Sequence, residues 1–143
     1  MERRTKTIIL TLFFLVFAAT FFWHRTQQPA EMEYQQPSPE EVARLSFTSW
    51  HQKNYADMYS TFSDGFKRIE HTAKDLATFR AYMDAQGVAD VSILSLRETS
   101  NDGTTATVDY QAELTLDDRN TIPYQGTFTL KHRTGDIIQG WKL

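Results

Sequence analysis

The sequence predicts an α+β fold: three helices packed on one face of a curved, four-stranded antiparallel sheet, preceded by a single transmembrane helix. Three observations predict it. Residues 7–23 carry no charge, residues 38–87 repeat their apolar side chains at helical spacing, and residues 88–143 switch to a period of two. Helices first and strands afterwards mean that the helices gather on one face of the sheet.

Met1 to Lys6 is a basic tail holding Arg3, Arg4 and Lys6, and Thr7 to Trp23 is an uncharged run of seventeen residues. As a helix it is ~25 Å long, the short end of what crosses a hydrocarbon core. Trp23 closes it at interfacial depth. The basic cluster in front places the N-terminus in the cytoplasm and the body outside. A cleaved signal peptide is the alternative, with Val16-Phe17-Ala18 as a weak cleavage site, although Phe21, Phe22 and Trp23 continue the apolar run past it. Residues 24–37 are polar, hold Pro29 and end at Pro37, as a tether does.

The domain proper is expected over 38–143. Ser38, Pro39 and Glu41 spell an N-cap, a first-turn proline and a capping box. Val42, Ala43, Leu45, Phe47 and Trp50 then share one side of the helix. A second short helix clusters Met58, Tyr59 and Phe62 and ends at Ser63-Asp64-Gly65, which makes a helical hairpin. A third starts at Thr72 with Asp75 three residues on, carries Leu76, Phe79 and Met83, and stops at Gly87.

The first strand, Val88 to Thr99, changes apolar phase between Ile93 and Leu94, a β-bulge signal. Asn101-Asp102-Gly103 is the turn after it. In the second strand Ala106, Val108, Tyr110, Ala112, Leu114 and Leu116 alternate with polar residues, so Asp109, Gln111 and Glu113 are expected on the side away from the helices. A third strand over Ile122 to Lys131, a Thr134-Gly135 turn and a fourth over Ile137 to Leu143 complete the meander.

Composition narrows the function. Aromatic residues at 13% and charged residues at 23% describe a globular chain, and about 105 residues suffice for one core. The absence of cysteine excludes disulfides, thiol catalysis and thiolate zinc. The first 30 residues carry four Lys/Arg against one Glu, a net +3, and the rest carry eleven against seventeen Asp/Glu, a net −6. An acidic body lacks the basic stripe that nucleic acid requires, so no nucleic-acid partner is expected.

The order of helices and strands resembles the nuclear-transport-factor-two-like, or cystatin-like cone, superfamily. Pro39, Phe47, Trp50, Asn54-Tyr55, Met58-Tyr59 and the closing Gly140-Trp141-Lys142-Leu143 resemble one branch of it, the non-catalytic N-terminal domain of penicillin-binding transpeptidases. The Ser-x-x-Lys nucleophile motif of those enzymes occurs nowhere in the chain, and Arg133-Thr134-Gly135, which mimics their Lys-Thr-Gly triplet, falls on a turn. The bitopic assembly subunits of type IV secretion systems are similar in layout, though no motif selects them.

No catalytic constellation and no cofactor are expected. His24, His51, His71 and His132 have no metal-ligand spacing. Asp90 is the one acid whose side is open, with a rim position expected. Trp50, Tyr59, Tyr110, Tyr124 and Trp141 are the residues able to line a pocket, if they are not simply core. The expectation is a membrane-anchored, extracytoplasmic domain that binds or spaces at the cell envelope, with the membrane and an envelope protein as partners. A ligand-binding or isomerase-like cone and a subunit of an envelope or secretion assembly are the alternatives.

Overall fold

The computed structural model describes residues 35–143. The expected basic tail, the anchor or signal peptide at residues 7–23 and most of the tether lie outside the described residues. Among those described, no helix is long and apolar enough to cross a membrane.

Helix α1 spans Pro39–His51 and begins as its sequence dictates. The Ser38 hydroxyl accepts the Glu41 N–H at 3.2 Å, and the Glu41 carboxylate accepts the Ser38 N–H at 2.7 Å. It ends with Lys53 in the left-handed region, φ 55°. Val42, Ala43, Ser46, Phe47 and Ser49 are buried along one arc. Leu45 is 40% exposed, because it lies roughly 120° around the helix from the centre of that arc.

Among the described residues four α-helices precede the sheet rather than three. Helix α2 is Tyr55–Ser60, capped by Asn54. Ser63-Asp64-Gly65 then opens a further helix instead of ending one. The Ser63 hydroxyl caps α3, Asp64–Ile69, by accepting the Phe66 N–H, and Asp64 places a negative charge at its N-terminus. Thr72 falls in a 3₁₀ turn, His71–Ala73. The cap of α4, Leu76–Ala85, is Asp75, whose carboxylate accepts the Thr78 N–H at 2.7 Å, and Gly87 at φ 66° ends that helix as expected.

The strands β1 (Val88–Asn101), β2 (Thr105–Leu116), β3 (Thr121–Arg133) and β4 (Gly140–Lys142) form one antiparallel sheet in the order β1-β2-β3-β4. The pairing of β1 with β2 shifts register at three places, Val88/Asp90, Ile93/Ser95 and Glu98/Ser100. Each shift adds a residue to β1, bends it and increases its twist, so the sheet curls. Leu94, the extra residue of the middle bulge, is turned outward and is 65% exposed. The last strand is shorter than expected, because residues 134–139 form the preceding loop, with Ile137 and Ile138 in solvent.

The inner face of the sheet meets α1. Val108 and Leu130 are fully buried against Val42 and Ala43. Phe47 packs among Val91, Ala112 and Leu114, ringed by Tyr110, Tyr124 and Phe128. A separate cluster holds Tyr55, Met58, Phe79 and Met83 between α2 and α4. Met58 and Tyr59 therefore pack against α4, while Phe47 fills the sheet. Trp50 contacts both clusters. Each side chain fully buried in this way contributes about 1.5–3 kcal/mol.

Gly126 pairs with Tyr110 across β2 and β3, and the tyrosine ring lies over the glycine where a side chain would otherwise stand. A Cβ there meets the Tyr110 hydroxyl at 2.8 Å and its Cζ at 3.1 Å. Because Tyr110 is stacked on Phe128 at 4.4 Å between centroids, the ring has nowhere to go. Gly126→Ala is expected to destabilise the domain by about 1–3 kcal/mol, read as a lowered denaturant midpoint.

The β1–β2 turn yields a second prediction. The Asp102 carboxylate accepts the backbone N–H groups of Thr105 (2.7 Å) and Thr104 (2.9 Å) and the Thr104 hydroxyl (2.9 Å). These bonds, Thr105 first, hold its pKa down at about 2 from an ordinary 3.8. With the folded value below the unfolded one, the stabilisation is complete above 3.8 and is lost as the pH falls towards 2. Denaturation of wild type and Asp102→Ala across that window is expected to show a gap in midpoint that is constant near neutrality and closes in acid.

Candidate functional site

A cavity of 580 Å³ opens between the helices and the end of the sheet. Its helical wall is Met58, Phe66, Phe79 and Met83, and its sheet wall is Val88, Leu114 and Leu116. Trp50 and Tyr124 meet edge to face in the lining, centroids 5.8 Å apart at 90°. Tyr82, Gln86 and Ile122, all exposed, stand at its mouth. The size suits a small ligand, and the lining is mostly apolar.

Three polar groups are placed in this lining. The indole Nε1 of Trp50 is buried and has no hydrogen-bond partner among the described residues, an orphan donor in an apolar surrounding. Burial pushes the Tyr124 hydroxyl up to about 12, and the neighbouring Tyr110 adds to the shift, so Tyr124 stays a neutral phenol throughout the physiological range. At the third point, Glu70 accepts the Thr72 N–H at 3.1 Å and its hydroxyl at 2.9 Å. Those bonds, the backbone one first, lower its pKa and keep it ionised. A carboxylate pinned in that way is a fixed hydrogen-bond acceptor and a poor proton carrier.

The five aromatic residues that the sequence offers as pocket lining separate. Trp50 and Tyr124 line the cavity. Tyr110 lies behind Tyr124, 5.3 Å between centroids, and closes the sheet over Gly126. Tyr59 is held in the helical cluster, its hydroxyl donating to the Ala73 carbonyl at 2.8 Å and Lys67 Nζ over its ring at 4.4 Å. Trp141 belongs to the opposite end, edge-on to His132 and packed near Val42 and Leu130. Glu70 and Thr72 escape the sequence reading because Thr72 looks like a helix cap. The signal is the spacing Glu70-x-Thr72, in which the acid itself caps the 3₁₀ turn.

The acids of β2 lie on the other face of the sheet. Asp109, Gln111 and Glu113 are exposed, and the Asp109 carboxylate accepts the Thr127 hydroxyl at 2.6 Å. Asp90 is not among the residues that line the cavity; its side chain is 46% exposed, with Oδ1 bound to His51 Nδ1 at 2.5 Å and to the Val91 N–H at 2.8 Å. The Val91 N–H and then His51 lower its pKa. This pair ties the end of α1 to the start of β1 beside Lys53, whose ammonium donates to the Val88 carbonyl at 2.8 Å. His71 lies 3.5 Å from Glu70, and His132 lies 2.9 Å from Gln36. Among the described residues no group of three His, Asp or Glu side chains is placed to hold a metal ion.

No protein-family model matches the chain, and no curated protein matches it. Solved structures are similar in fold. One is the solution structure of a SEC-C motif containing protein from Rhodopseudomonas palustris, 16% identical at a TM-score of 0.53, covering 74% of this chain and 76% of that one. A second is an NTF2-like protein of unknown function from Burkholderia pseudomallei, 11% identical at a TM-score of 0.48 over 70% of this chain and 86% of that one. A third is TerC co-crystallised with polyporic acid, 14% identical at a TM-score of 0.45 over 69% and 85%.

Trp50 separates packing from hydrogen bonding. Trp50→Ala removes a ring shared by two clusters and is expected to cost about 3–5 kcal/mol. Trp50→Phe keeps most of the packing and deletes an unpartnered donor, so its melting temperature is expected to stay close to that of the wild type. A fall as large as that of Trp50→Ala would mean that the indole N–H is satisfied in solution.

Proposed function

We propose that the chain is a non-catalytic binding or spacing domain, held on the outer side of a membrane by residues 7–23. The observation that carries the first half is the alternation of β2. Its apolar side chains face α1, and its acids face outward, where Asp109 is engaged by Thr127. The acid at the cavity, Glu70, is fixed in its ionised form by Thr72. The second half rests on sequence alone, on the uncharged run behind Arg3, Arg4 and Lys6.

The helices and curled sheet support a nuclear-transport-factor-two-like reading of the fold. The finer resemblance to the N-terminal domain of penicillin-binding transpeptidases rests on Phe47, Trp50, Asn54-Tyr55 and Met58-Tyr59. In that setting these residues seat a hairpin on its neighbours, a structural role and not a chemical one.

The cavity favours a second reading, in which the domain holds a small, largely apolar ligand. What supports it is the 580 Å³ hollow itself, with Trp50, Phe79, Met83, Leu114 and Leu116 in a mostly apolar lining.

Two measurements test these readings on the full chain. Alkaline phosphatase fused after Leu143 is expected to be active, as it is only outside the cytoplasm, and an inactive fusion overturns the orientation. Assays with small carbonyl and hydroxyl substrates are expected to show no turnover, and turnover that disappears in Asp90→Asn or Tyr110→Phe sinks the non-catalytic reading. For the second reading, a small apolar ligand that raises the melting temperature of the wild type more than that of Trp50→Ala is the expected result.

A further inference from the structure

A second hollow, 460 Å³, lies between α3 and the β3–β4 end of the sheet, remote from the Trp50 cavity in its lining. Arg68, Lys131, Arg133 and Lys142 all line it. Four cations in one groove stand out in a body whose net charge after Ala30 is −6. None of the four is in an ion pair among the described residues, where the pairs are Arg44 with Glu40, His51 with Asp90 and His71 with Glu70. Lys131 donates to the Thr105 hydroxyl at 2.8 Å, and Lys142, itself buried, donates to the Ser60 carbonyl at 2.6 Å. Both hydrogen-bond partners are neutral, and the nearest acids, Asp64 and Asp136 for Lys142 and Asp102 for Lys131, act on these ammonium groups without forming an ion pair. The Arg133 Nε is buried with no hydrogen-bond partner among the described residues. The absence of a side chain at Gly65 leaves room for this guanidinium, since a Cβ there would sit 3.1 Å from its Nη2.

Two acids, Asp64 and Asp136, lie at this corner and keep their charge while they bind backbone N–H groups. The Asp64 carboxylate accepts the Ile137 N–H at 2.8 Å, and the Asp136 carboxylate accepts the Asp64 N–H at 2.9 Å. Lys67 points elsewhere, over the ring of Tyr59. The two Asp64 bonds also hold the β3–β4 loop against α3, and with it the apolar residues of this corner. Ile137 is 93% exposed and Ile69, which lines the groove, is 84% exposed, the two most exposed large apolar side chains among the described residues. Ile138 beside them is 59% exposed.

We propose that this corner is a docking surface for an anionic lipid bilayer, with the exposed Arg68 and Lys131 receiving headgroup phosphates, Arg133 and the buried Lys142 adding positive charge beneath them, and Ile69, Ile137 and Ile138 entering the boundary between headgroups and acyl chains. Cations near an anionic membrane each strengthen binding about fivefold, and apolar side chains beside them add the burial that a soluble anion cannot supply. A free phosphate would use the cations and leave the isoleucines in water. The inference stands apart from the cavity and from the role of residues 7–23, because it concerns residues 63–143 only.

The test is local amide exchange in the full chain in the presence of vesicles of phosphatidylcholine alone and of phosphatidylcholine mixed with phosphatidylglycerol. Exchange within residues 64–69 and 136–142 is expected to slow several-fold with phosphatidylglycerol, and high salt is expected to reverse the slowing. Arg68→Glu combined with Lys131→Glu changes two exposed side chains, and at an unchanged melting temperature it is expected to abolish the slowing. Ile69→Ser combined with Ile137→Ser is expected to weaken it. Equal exchange in the two vesicles, or slowing that survives the double charge reversal, overturns the proposal. Slowing reproduced by inorganic phosphate on phosphatidylcholine vesicles overturns it too, since the groove is then a site for a soluble anion.

Discussion

The domain depends on the contact of α1 with the inner face of a sheet that curls to meet it. Phe47 enters the sheet among Val91, Ala112 and Leu114, and Trp50, one turn further on, reaches both that core and the cluster between α2 and α4. Small residues make the approach close. Ala43, Ser46 and Ser49 are almost completely buried on the same arc, so the helix lies near the strands while the aromatic rings fill the space that curvature leaves.

Curvature comes from β1. Three register shifts against β2 bend one edge of the sheet around the helix, and the hollow between the bent sheet and α4 is the Trp50 cavity. The same alternation that supplies apolar residues to the interior sends Asp109, Gln111 and Glu113 to the outside. A sheet with a period of two makes these outcomes inseparable, because moving the acids inward would turn Val108 and Leu114 out. The interior is therefore built for packing, and of the polar groups on the cavity residues the Trp50 Nε1 is closed off and the Glu70 carboxylate is already occupied by Thr72.

Long, strongly periodic segments were legible. The capping box of α1, the full extent of β2, the middle bulge and the turn at Asn101-Asp102-Gly103 follow from residue type and spacing, since each is a local preference that nothing distant opposes. The short elements were not. Ser63-Asp64-Gly65 reads equally well as a stop or a start, and six residues of α3 are too few to display a period. Thr72 and Asp75 are both caps by type, and only the chain path chooses Asp75. Leu45 and Leu94 look like core by composition, yet one lies beside the buried arc and the other on a bulge.

The sequence by itself determined the α+β class of the fold and the side of β2 on which its acids stand, because these rest on periodicity. Only the tertiary structure decided which aromatic residues share a cavity, that Glu70 caps a turn at its edge, and that Arg68, Lys131, Arg133 and Lys142 converge beside three exposed isoleucines. Those residues come from elements far apart along the chain. Their meeting is set by how the bulged strand bends and how the loop after β3 is tied to Asp64, and neither distance nor direction in space is written in the spacing of residues along one element.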